Sequence, residues 1–166
     1  MAKKYSHQLL TGISFGLTSA VITSLGMIVG LNSATSSRLA VGAGIIVMAV
    51  ADGLADAMGL HLAEESEIEN GKVKHTSKEV WLTTAVTFFS VSGFCSTFAI
   101  PILLFPMKLA VFLAISWGIL LLVILNFYIA RIKKERPLKL ILQHILLAIF
   151  VIAISYEIGN LIKGKF

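Results

Sequence analysis

Between residues 9 and 162 the chain alternates long apolar runs with short polar breaks. A helix needs about 20 mostly apolar residues to cross a bilayer. Five runs reach that length: 9–31, 38–62, 80–104, 107–131 and 138–162. The breaks are NSATSS at 32–37, the charged segment EESEIENGKVKHTSKE ending at Glu79, the turn FPMK at 105–108, and IKKERP at 132–137. Pro106 and Pro137 lack an N–H and help to separate the later spans. Pro101 falls inside the third run and is expected to kink it near its end. The pattern predicts an all-α membrane protein: one transmembrane domain over 1–166, five transmembrane helices, and a short charged cytoplasmic linker at 63–79.

Composition agrees. The chain of 166 residues is 57% hydrophobic and 14% charged, with mean hydropathy +0.89. That exceeds what a soluble globular domain shows and leaves no room for a separate soluble domain. The net charge is +5, but no cluster of Lys and Arg interleaved with aromatics suggests nucleic acid as a partner. The apolar run behind MAKKYSHQLL continues to about Leu31 without a small-residue cleavage site, so it reads as an uncleaved first span. Cys95 is the only cysteine and reads as a small packing residue. No sign of an organellar transit peptide is visible, which favours a prokaryotic cell membrane over a vacuole.

Charge placement sets an orientation. With five spans, one side receives ten basic residues: Lys3, Lys4, Lys72, Lys74, Lys78, Arg131, Lys133, Lys134, Arg136 and Lys139. The other receives four: Arg38, Lys108, Lys163 and Lys165. The positive-inside rule then puts the N-terminus in and the C-terminus out. Spans one and two are rich in small residues: Gly12, Gly16, Ser19, Thr23, Gly26 and Gly30 in the first, and Ala49, Gly53, Ala57 with Ala51, Ala55, Gly59 in the second. Small residues four apart let backbones approach in lipid. These two spans are expected to be central or to form a homodimer interface. Spans four and five, richer in Leu, Ile, Val and Phe, are expected to face lipid.

The second span contains the unexpected chemistry. Asp52 and Asp56 lie one helical turn apart on one face, near mid-membrane. Two ionised carboxylates at that spacing in a low-dielectric site repel, so one holds a proton or a cation sits between them. Such a pair can exchange protons for a divalent metal. An acid at mid-membrane costs at least ~2.5 kcal/mol on insertion scales, which makes a functional role the default. Met48 extends the stripe one turn outward; its thioether suits a softer divalent ion, or simply packs. Glu157 in span five could line an exit, pair with another helix or reach the interface. His61, Glu64 and Glu65 share a face where span two leaves the membrane, with Glu67, Glu69 and His75 beyond. Carboxylates with imidazole could collect Fe²⁺, Mn²⁺ or Zn²⁺ there, or form a solvated face balanced by Lys72, Lys74 and Lys78.

Taken in order, these features resemble the vacuolar iron transporter family. The carrying stretches are FGLTSAVITSLGMIVGL in span one, ADGLADAMGLHLAEESE in span two, FAIPILLFP at the end of span three and ISYEIGNLI in span five. The resemblance covers residues 10–162. It implies a homodimer that moves Fe²⁺ or Mn²⁺ out of the cytoplasm in exchange for protons, with Zn²⁺ or Co²⁺ as further cargo and no permanently bound cofactor. It also implies Met58 as a pathway residue. Ser19 stands where the family's first span has an aspartate, the second-span acid is out of register, and Asp52 and Asp56 are expected to replace both.

Two other classes compete with this reading. DGLAD at 52–56 matches the start of the two-metal motif of lipid headgroup transferases, but Asp56 takes the place of that motif's arginine and no aspartate follows it. HLAEE is not the HExxH zinc pattern. An enzyme is therefore not expected. A non-transporting scaffold or regulatory protein on the same fold is the other reading.

Overall fold

Each apolar run forms a helix, and local chemistry decides where each one stops. The computed structural model describes residues 5–69 and 71–165; Lys3 and Lys4, used for orientation above, lie outside them. The elements are α1 (Ser6–Thr35), α2 (Arg38–Glu65), β1 (Ile68–Glu69), β2 (Lys72–Val73), α3 (Ser77–Thr97), α4 (Ala99–Leu104), α5 (Met107–Lys133) and α6 (Pro137–Lys163). Five helical segments are long and apolar enough to cross a membrane, with α3 and α4 together as the third. An all-α membrane architecture follows, in which the polar connections cluster between the spans.

The helices run a few residues past the apolar stretches because caps extend them. Ser37 accepts a bond from the Ala40 N–H at the start of α2. Thr76 and Glu79 form a capping box at the start of α3. Pro137 occupies the first turn of α6, where its missing N–H costs nothing. Ser36 and Lys134 close α1 and α5 in the left-handed region.

The expected bend in span three is a break at Phe98. Pro101 cannot donate to the Thr97 carbonyl, and its ring crowds that turn. At the break the Phe98 N–H bonds to the Cys95 carbonyl, and the Thr97 hydroxyl donates instead to the Phe94 carbonyl at 2.6 Å and accepts from Trp117 Nε1 at 2.9 Å.

The first helix is the hub. It packs along α3 and α6 and also touches α2 and α5. Gly16 lies so close to α3 that a Cβ there would come within 2.6 Å of Ser90 Cβ. Gly159 of α6 abuts Ser33 and the Gly30 carbonyl of α1, leaving no space for a side chain. These are close small-residue approaches of the kind that hold helices together where lipid supplies no hydrophobic drive.

Of the two places expected for span two, the central one is not the place it takes in the protomer. Only one stripe of α2 is buried, Val41, Ile45, Ala49, Gly53 and Ala57, and it packs on α3. Its second small stripe, Ala51, Ala55 and Gly59, is exposed. Span four is less lipid-facing than expected, because Ala110, Ala114 and Gly118 give α5 a buried seam. Span five is the peripheral one: Ala148 and Gly159 are its buried residues. Cys95 is fully buried, beside Ser24 and the Ile45 carbonyl, as a packing residue should be.

The linker at 63–79 is ordered rather than a loose charged loop. α2 continues to Glu65, and an antiparallel hairpin pairs Ile68 with Val73 and Glu69 with Lys72. Gly71 takes φ +74° at its turn, a conformation that suits glycine.

Candidate functional site

The groove between α1 and α2 is where sequence and geometry converge. These helices run antiparallel and touch less than either touches α3. Residues four apart share a helix face, so Ser19 and Thr23 form a pair on α1 and Asp52 and Asp56 a pair on α2. The register sets the two pairs against each other. The Ser19 hydroxyl donates to Asp56 Oδ2. The Thr23 hydroxyl lies 2.9 Å from Asp52 Oδ2 and 2.8 Å from the Ser19 carbonyl. Both carboxyls are half-buried.

Hydrogen counting makes the Thr23 contact informative. A threonine hydroxyl has one hydrogen and two lone pairs. It can donate to the Ser19 carbonyl or to Asp52, but not to both. At any moment it bonds one of them, so Asp52 and the Ser19 carbonyl compete for the Thr23 hydrogen. The groove thus sets one hydroxyl beside each carboxyl, Ser19 at Asp56 and Thr23 at Asp52.

The other residues named from sequence are spread out. Met48, one turn from Asp52, is partly buried against the apolar core. Met58 is 53% exposed on the outer side of α2, about 200° round the helix from Asp56. Glu157 is exposed on α6 beside Phe150, Ile154, Tyr156 and Leu161, and α6 packs on α1 and α5. It does not join the aspartates.

The expected grouping of His61, Glu64 and Glu65 is divided. Glu64 is only 4% exposed and accepts from the Thr83 hydroxyl of α3 at 2.8 Å, which turns it away from solution. His61 and Glu65 stay together, with Nε2 and Oε2 3.8 Å apart. Thr84 donates to the Val80 carbonyl at 2.8 Å, so its oxygen is left to accept from His61 Nδ1, also at 2.8 Å. That assignment puts the proton on Nδ1 and leaves the Nε2 lone pair facing Glu65. Trp81 packs edge-on against the imidazole, with centroids 4.6 Å apart. His61, Glu65, His75 and Trp81 line a cleft of about 200 Å³ under the hairpin. No three His, Cys, Asp or Glu side chains gather as a metal group among the described residues.

Beside this cleft Glu67 accepts from Lys74 at 2.7 Å and lies 3.2 Å from His75 Nε2. The Lys74 and His75 bonds hold the Glu67 carboxyl below its ordinary value, and the Glu67 bond holds Lys74 above its own.

Sequence reading took Ser19 and Thr23 as small packing residues, and Ser19 also as a missing acid, and missed them, with Thr83 and Thr84, as hydrogen-bond partners. The available signal was the matched spacing of four in both spans: two hydroxyls in one, two carboxyls in the other.

No family model matches the chain. It is similar to an uncharacterized protein of Methanocaldococcus jannaschii, 24% identical over 139 residues that cover 72% of each chain.

Proposed function

We propose that the protein is a divalent transition-metal transporter that moves Fe²⁺ or Mn²⁺ out of the cytoplasm by proton antiport. The observation that supports this most is the pairing of Asp52 and Asp56 with Thr23 and Ser19 across the α1–α2 groove. Two mid-membrane acids cost at least ~2.5 kcal/mol each, whereas membrane hydrogen bonds average about 0.6 kcal/mol. Hydroxyl partners alone do not offset that cost. An exchangeable proton or cation does.

The resemblance to the vacuolar iron transporters gains a physical reading here. Ser19 stands at the family's first-span acid position, and Asp56 of α2 delivers a carboxylate to that same position. The acid has changed helix but not place. His61 and Glu65, with one nitrogen and one oxygen donor, would receive the ion at the cytoplasmic mouth, and Asp52 and Asp56 would pass it on as the pair releases a proton. Ten basic residues against four orient the N-terminus inward and the C-terminus outward, in a prokaryotic cell membrane. The exposed stripe Ala51, Ala55 and Gly59 is the face on which a second copy would pack, bringing two groove rims together as a homodimer.

Flux into proteoliposomes under a pH gradient tests the proposal. Fe²⁺ or Mn²⁺ transport that falls at least about tenfold in Asp52→Asn and in Asp56→Asn supports it. Flux indifferent to both substitutions removes the site. A specific observation also favours a scaffold reading: each carboxylate already has a hydroxyl partner. That reading predicts no flux of Fe²⁺, Mn²⁺, Co²⁺ or Zn²⁺ at all.

A further inference from the structure

We propose that the groove between α3, α4 and α5 holds one acyl chain of an anionic phospholipid, whose phosphate is bound by Arg38 and Lys108. The groove lies where α4 breaks from α3 at Phe98 and packs against α5. It encloses about 490 Å³ among Thr97, Pro101, Phe105, Leu113, Trp117 and Leu120. The indole N–H that could meet a polar ligand is spent on Thr97. Ser116 adds one hydroxyl to walls that are otherwise apolar, which suits a hydrocarbon.

Its length matches one leaflet. Phe105 lines it just before α5, and on α5 the lining runs from Leu113 to Leu120, a rise of about 11 Å that fits within the roughly 15 Å of half a hydrocarbon core. The groove therefore opens at one membrane surface and ends near the midplane. That surface is the one bearing the α1–α2 turn, because Arg38 reaches across to it. Arg38 Nη2 donates to the Phe105 carbonyl at 2.8 Å and thereby holds the guanidinium at the groove's mouth. Four of its five N–H donors are left for a ligand. Lys108 is exposed in the first turn of α5, three residues from Phe105. No Asp or Glu occurs in 32–44 or 97–112, so these two cations have no acid of their own in either turn. A phosphate fits that pair, and a guanidinium binds it bidentately. The proposal does not depend on transport.

Trp117 is a built-in reporter. The chain has two tryptophans, and Trp81 lies near the hairpin end. Trp81→Phe protein would be reconstituted in phosphatidylcholine vesicles containing either phosphatidylglycerol or phosphatidylcholine brominated at mid-chain. Both lipids carry a phosphate, but Arg38 and Lys108 repel the choline cation, so half-quenching of Trp117 is expected at about tenfold lower mole fraction of the brominated phosphatidylglycerol. Lys108→Gln should reduce that preference several-fold while leaving the Arg38 bond to Phe105 in place, and Lys108→Gln with Arg38→Gln should abolish it. Equal quenching by both lipids at every fraction means ordinary bilayer contact and overturns the proposal. Quenching by neither lipid means the groove is closed by another protein surface, which overturns it equally.

Discussion

Removing the Thr23 hydroxyl is the residue-scale test of what the groove hydrogen bonds contribute. If the bond to Asp52 is a modest membrane hydrogen bond, Thr23→Val should change stability by under about 1 kcal/mol. Thermal unfolding of the reconstituted protein reads this, and a loss beyond about 3 kcal/mol would make the pair structural. Ser19→Ala should behave alike in stability, yet weaken Mn²⁺ retention, because Asp56 then loses the donor that fixes its rotamer. Asp52 and Asp56 were legible from sequence because acids are rare and costly inside apolar runs. Ser19 and Thr23 were not, since hydroxyl residues are common in such helices and their meaning depends on which helix they face. Glu64 was misplaced for a related reason. Spacing put it on one face with His61 and Glu65, but a buried threonine on α3 claims its carboxylate, a tertiary fact that no local pattern encodes.

Element by element, the five spans could be read from hydropathy, and the departures lie in how they pack. Pro101 announced the break at Phe98 through its missing donor. The one-sided burial of α2 was hidden because it has two small-residue stripes and sequence does not say which one is used inside the protomer. Glycines make that distinction measurable. Gly16→Val should destabilise by about 1–3 kcal/mol, because its first carbon already meets Ser90. Gly42 has no atom within 4 Å of its would-be Cβ, so Gly42→Ala should stabilise α2 by up to about 1 kcal/mol through helix propensity. Thermal unfolding of the two variants in parallel should move in opposite directions. The hairpin makes a pH prediction. Glu67 titrates below 4.5, so its contribution is complete above that value and is lost as the pH falls through its lowered one. Lys74 contributes fully below 10.5 and is lost only above its raised value. The Lys74 amide, bonded to the Glu67 carbonyl at 3.0 Å, should stay protected from hydrogen exchange between those limits, after correction for intrinsic rates, and open below pH 4.5.

For the molecule as a whole, the proposed assembly follows from what the protomer leaves uncovered. α2 presents Ala51, Ala55 and Gly59 outward next to the groove that contains both aspartates. Ala51→Cys, in a Cys95→Ser background, should form a disulfide-linked dimer on mild oxidation in membranes, while Leu142→Cys on α6 should not; the reverse pattern would move the interface to α6. Two copies joined on α2 would set two pairs of carboxylates about a common axis, completing a ligand set that one protomer lacks. Anomalous diffraction from crystals grown with Mn²⁺ tests this most directly. The account predicts a manganese peak in the α1–α2 groove within coordination distance of Asp52 or Asp56, lost in Asp56→Asn. Manganese confined to the His61–Glu65 cleft, or absent from the protein at saturating concentration, would contradict it.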